Sequence, residues 1–148
     1  MRGYTLIEVV VVLAVLAVAA AVVAPAVGRT ADSVKARAEV AGVAAFLRSA
    51  REQAITRQQP YEVVLDPTVR ALLLRRASDE SVGSIEASRH LSPLLHIEAE
   101  PASTRRITFL PQGPSSGGRF RIEAPGPRVY VITVDVLTGR VTTQRSDS

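Results

Sequence analysis

Gly113-Pro114-Ser115-Ser116-Gly117 fits the G-x-S-x-G pattern, in which a serine on a strained strand-to-helix turn attacks an acyl carbon. That chemistry needs a strand before the serine and a helix after it. Here both flanks read as strands, and 148 residues are too few for an α/β-hydrolase, so the segment reads as a flexible loop. His90 and His96 are the two histidines of the chain, and no Asp or Glu cluster stands near them at metal-ligand spacing. Asp79-Glu80 and Glu98-Ala99-Glu100 read as solvated carboxylates. The absence of cysteine excludes disulfides, thiolate metal sites and cysteine nucleophiles. No glycine-rich phosphate loop precedes a helix. These residues predict no enzyme, no cofactor and no metal.

Two other groups carry chemistry of a different kind. Arg105, Arg106, Arg119, Arg121, Arg128, Arg140 and Arg145 crowd the C-terminal third of a chain with 18 basic and 14 acidic residues. On one shared face they would contact phosphates, with an affinity that falls steeply with salt. Scattered, they are solvated side chains, and Phe109, Phe120 and Tyr130 are the only aromatics of that region able to stack on bases. The second group is Glu8, a carboxylate inside an apolar run, where its burial in a membrane costs about 2.5–3.5 kcal/mol. Such a residue calls for a partner. If the chain were cut after Gly3, Tyr4 would expose an α-amino group, and that charge could pair with Glu8 of a neighbouring subunit.

Leu6 to Val27 holds only Leu, Ile, Val and Ala apart from Glu8 and Pro25, and as a helix it would reach about 33 Å, enough to span a bilayer. Arg2 precedes the run and Arg29, Lys35 and Arg37 follow it, so basic flanks do not orient it. Three readings compete: a secretory signal cut after Ala26 in Ala24-Pro25-Ala26, a plain signal anchor, and a cleaved leader followed by a packing helix. Glu8 weakens the apolar core that the first reading needs.

Gly3-Tyr4-Thr5-Leu6-Ile7-Glu8-Val9 resembles the prepilin-type cleavage and methylation motif of type IV pilins and type II secretion pseudopilins. The resemblance implies that a prepilin peptidase cuts between Gly3 and Tyr4, that the Tyr4 amine is N-methylated, and that Glu8 acts in assembly. It also matches Pro25 to a helix-kinking proline, a residue that removes a backbone donor and is tolerated in a membrane helix. Tyr4 stands where Phe is more usual. Met1-Arg2-Gly3 is shorter and less basic than the leaders of that family, which leaves open a start upstream of Met1.

Val34 to Thr56 shows an amphipathic helical pattern, with Val40, Val43, Leu47, Ala50 and Ala54 on one stripe. Its small residues predict packing on a sheet. Joined to the apolar run it makes one long helix, bent near Pro25 and Gly28. Tyr61 to Leu65 and Val69 to Arg75 flank Asp66-Pro67-Thr68 as a hairpin. Ala77 to Pro93 reads as a long loop. His96 to Glu100, Ile107 to Leu110, Arg119 to Ile122, Val129 to Val136 and Arg140 to Thr143 read as strands, with turns at 111–118 and at Thr138-Gly139.

The expected architecture is α+β: a leader over 1–3, a membrane and filament-packing helix over 4–27, and a periplasmic antiparallel domain over 28–148. Phe109-Leu110-Pro111-Gln112-Gly113, Gly117-Gly118 and Gly139-Arg140-Val141 are similar to the H-type minor pseudopilins of type II secretion and to FimT-like minor pilins. That resemblance implies a single-pass inner-membrane subunit whose partners are other pseudopilins, the prepilin peptidase and the bilayer. The FimT-like alternative adds DNA as a ligand, with Arg119, Arg121, Arg140 and Arg145 as its contacts. A secreted basic binding domain is the third reading.

Overall fold

A computed structural model describes residues 4–77 and 84–147, without the side chains of 23–30 and 147. Met1-Arg2-Gly3 and Asp79-Glu80 therefore lie outside the described residues. Helix α1 spans Leu6–Arg57 and is followed by eight strands: β1 Tyr61–Asp66, β2 Ala71–Arg76, β3 Ile85–His90, β4 His96–Glu100, β5 Arg106–Phe109, β6 Gly118–Ala124, β7 Arg128–Val134 and β8 Val141–Asp147. The backbone is helical through Pro25 and Gly28. The chain divides into two compact units, Met1–Lys35 and Ala36–Ser148.

In the larger unit, Ala36, Val40, Val43, Ala44, Leu47, Ala50 and Ala54 form the buried stripe of the helix. Their three- and four-residue spacing puts them on one face, and the alanines let strands approach closely. The stripe meets Tyr61, Val63, Leu72, Leu74, Ile107, Phe109, Phe120, Ile122 and Ile132, most of them fully buried. At about 25 cal/mol per Å² of apolar surface, this burial is the main favourable contribution to folding of a domain with no covalent cross-link.

The strands form two antiparallel sheets, ordered β3-β2-β1-β5 and β4-β6-β7-β8. The β1–β2 turn is closed by Asp66, whose Oδ1 accepts from the backbone N–H of Thr68 at 2.8 Å. An isolated bridge between Phe109 and Ser115 and a bond from Ser115 N to Val136 O at 2.9 Å tie β5 of the first sheet to the end of β7 in the second.

Ile85–His90, inside the segment expected to be loop, is instead an edge strand paired with β2 from Ala71↔His90 to Arg75↔Ile85. The miss has a physical cause. None of its residues is buried, so no period-2 apolar signal exists, and what holds it is the backbone ladder together with ion pairs. Glu86 meets Arg57 at 2.9 Å and Arg76 at 3.2 Å, and Arg89 meets Glu39 on the helix at 3.3 Å.

Candidate functional site

In the N-terminal unit the helix begins with a cap. Leu6 is its first residue, and Thr5 accepts from Glu8 N through its carbonyl at 3.0 Å and through its hydroxyl at 3.4 Å. A threonine at the N-cap with a glutamate three positions into the helix is the sequence of a capping box. The Glu8 carboxylate also sits at the positive end of the helix dipole. On both sides of it along the helix the apolar side chains are exposed: Leu6 at 83%, Ile7 at 70%, Leu13 at 60% and Val22 at 71%. A helix that is apolar all round is one whose surface something else covers. Among the described residues no helix is long and apolar enough to cross a membrane. The described side chains of this run stop at Val22, while the apolar sequence continues to Val27. Tyr4 is exposed at 83%, and Gly3 and the Pro25 side chain lie outside the described residues.

The larger unit carries an open groove of about 720 Å³ between the helix and the β7–β8 hairpin, lined by Arg48, Arg51, Glu52, Asp135, Thr138 and Arg140 among others. The hairpin is held tightly. Asp135 Oδ1 accepts from Leu137 N at 3.0 Å, Thr138 N at 2.8 Å and the Thr138 hydroxyl at 2.8 Å. Chiefly the Thr138 N–H, then the Thr138 hydroxyl, hold the Asp135 carboxyl below the usual carboxylate range, and the Arg140 charge adds a smaller pull in the same direction. Gly139 has φ +61°, and a Cβ there would stand 2.3 Å from the carbonyl oxygen of Gly113, so the hairpin abuts the 110–117 turn. From the helix, Arg51 Nε donates to Thr138 O at 3.1 Å and Arg48 reaches Val141 O at 3.5 Å.

The four arginines that the sequence offers for phosphate contact do not share a face. Register places Arg145 opposite Tyr130, which is itself opposite Ile122, so Arg145 lies on the core-facing side of the sheet. Arg121 lies opposite Val131 on the other side. Arg119 meets Glu100 at 3.9 Å and Arg121 meets Glu123 at 3.3 Å. Only Arg140 joins the groove. Its helix-borne neighbours Arg48 and Arg51 were legible as an i, i+3 pair, but nothing in the linear pattern joins them to a hairpin some ninety residues away, as the 93-residue separation of Arg48 and Val141 shows.

Ser115 is buried at 5% exposure; its hydroxyl donates to Asp135 O at 2.8 Å and accepts from Gly117 N at 3.0 Å. It closes the turn against the hairpin, and no helix follows it. His96 bonds Glu98 at 2.9 Å on the surface, and among the described residues no three His, Asp or Glu side chains cluster to hold a metal.

Residues 39–138 match the family described as type II transport protein GspH, and residues 1–24 match the prokaryotic N-terminal methylation motif. No curated protein matches the chain in sequence. Among solved structures, the type IV minor pilin FimU of Pseudomonas aeruginosa superposes with a TM-score of 0.64 at 15% identity, over 76% of this chain and 90% of that one. The minor pseudopilin EpsH from the type 2 secretion system of Vibrio cholerae gives 0.59 at 15% identity, over 73% and 94%. At such identities the likeness is one of fold.

Proposed function

The chain belongs to the GspH family, and on that premise we propose that it is a minor pseudopilin of a type II secretion system, anchored in the bacterial inner membrane with its globular domain in the periplasm. The observation that carries this reading is the capped N-terminal helix, apolar on every exposed side, with Glu8 as the single charge between Leu6 and Val22. In a bilayer the lipid covers that surface, and in a filament the helices of neighbouring subunits do. Cleavage between Gly3 and Tyr4 frees an amine, and the Glu8 carboxylate of an adjacent subunit neutralises it. Each charge is thereby spared most of the desolvation cost it would bear alone. Glu8 thus sets the register of packing, and the subunit contributes assembly and contact without a reaction of its own.

N-terminal sequencing of the mature chain tests the first step: the expected start is methylated Tyr4, and a start at Val27 would overturn the reading. Glu8→Ala is expected to insert in the membrane as wild type yet to enter filaments poorly, and normal incorporation would remove the pairing role. The alternative, a type IV minor pilin that captures DNA, draws on Arg119, Arg121, Arg140 and Arg145. It predicts duplex binding with a steep salt dependence, and salt-insensitive or absent binding at micromolar protein would dismiss it.

A further inference from the structure

We propose that the groove between helix residues 48–52 and the β7–β8 hairpin docks an acidic, extended segment of a neighbouring protein subunit, with Leu137 as its apolar anchor. Three observations bear on the groove and on the hairpin that bounds it.

The first is charge. Arg57, Arg75, Arg76, Arg89, Arg106, Arg119 and Arg121 each meet a carboxylate of this chain. Arg48, Arg51 and Arg140, which line the groove, form no ion pair among the described residues; the first two bond only backbone carbonyls, which leaves their remaining N–H groups open to an outside acceptor. The second is apolar exposure. Leu137 is 81% exposed and Val136 55%, on a hairpin whose turn is closed by hydrogen bonds to Asp135, and Leu110 on the adjoining turn is 40% exposed. A large side chain presented on a rigid turn costs little entropy to dock. The third is the balance of charge within the groove, where Glu52 and Asp135 stand beside the three arginines. A continuous run of phosphates would meet these carboxylates with repulsion. A polypeptide, which alternates carboxylates with backbone N–H donors and apolar side chains, meets all three features.

That the segment comes from another filament subunit rests on the pseudopilin reading, whereas the recognition chemistry does not. The test therefore uses the full processed chain in detergent micelles, with a short labelled peptide of alternating glutamate and serine carrying one central leucine. Its lysine counterpart, a version without leucine, and a short DNA duplex serve as comparison probes.

Wild-type chain is expected to bind the acidic peptide in a salt-sensitive manner, and Arg51→Glu combined with Arg140→Glu to weaken it by about tenfold or more. Arg48→Gln, which leaves the bond from Arg51 to the hairpin in place, is expected to weaken it by about threefold. Leu137→Ser should reduce binding of the leucine-bearing peptide alone. Arg119→Ser with Arg121→Ser, which removes arginines already paired elsewhere, should leave affinity unchanged. Glu8→Ala should also bind as wild type, so a failure in assembly and a failure of this site give different patterns. Absence of peptide binding, an equal loss in the Arg119 and Arg121 variant, or tighter binding of duplex DNA through the same arginines would overturn the assignment, the last in favour of a nucleic acid.

Discussion

Asp135 shows how much one side chain can organise. Its carboxylate takes three donors from Leu137 and Thr138, and those bonds favour the charged form. A carboxylate whose pKa is lower in the folded chain than in the unfolded one adds stability above the unfolded value, about 3.9, and loses it as pH falls through the folded value. Asp135→Asn keeps an acceptor and removes the titration. The variant should therefore melt below wild type at neutral pH and lose less on acidification below about pH 4; parallel acid profiles would refute the account. Gly42 offers a second case. A Cβ there would lie 2.0 Å from Arg89 Nη2, so Gly42→Ala displaces the guanidinium that pairs with Glu39. The helix gains up to about 1 kcal/mol in propensity and forfeits a part-buried pair worth about 0–1 kcal/mol, so the net change should stay within about 1 kcal/mol in either direction. The pairing itself is read by a double-mutant cycle, in which Glu39→Gln should cost a few tenths of a kcal/mol in wild type and about nothing beside Ala at position 42. Equal costs in both backgrounds would place Arg89 elsewhere.

Among the elements, the helix and the β1–β2 hairpin were legible at once, because both combine strong periodicity with local closing signals. The stripe Val40, Val43, Leu47, Ala50 and Ala54 is buried as its spacing requires. Leu47 is fully buried at its centre, so Leu47→Ala should destabilise the domain by about 2–5 kcal/mol in chemical denaturation, and a loss under 1 kcal/mol would mean that the helix is not the spine of the core. β3 was not legible, since an edge strand held by its backbone ladder and by salt bridges leaves no apolar alternation to read. β8 extends further than expected, to Asp147, for a related reason: its polar Thr142-Thr143-Gln144-Arg145 stretch is recruited by pairing with β7.

At the scale of the whole molecule, Ala36–Ser148 is a compact unit with its own core, and Met1–Lys35 is a second unit that contributes none of its described residues to that core. A fragment beginning at Gly28 is accordingly expected to melt in one cooperative transition, with far-UV and near-UV signals coinciding. Separate transitions would show that the domain depends on the apolar helix for its fold. The same division separates the two surfaces described above, an exposed apolar helix in one unit and a basic groove bounded by an apolar-tipped hairpin in the other.

What the amino-acid order determined by itself was local or compositional: an apolar helix interrupted by one carboxylate, an amphipathic continuation, strands with alternating burial, and a leader motif specific enough to name a family. Those properties follow from periodicity and residue type and need no partner distant in the chain. The tertiary structure decided which charges find one another. Arg119 and Arg121 are neutralised by Glu100 and Glu123, while Arg140 comes beside Arg48 and Arg51. Charges act on one another over distances of a few ångströms: Arg121 finds Glu123 on its own strand, but the β4–β6 pairing brings Arg119 to Glu100, and only the packing of helix against hairpin brings Arg140 beside Arg48 and Arg51.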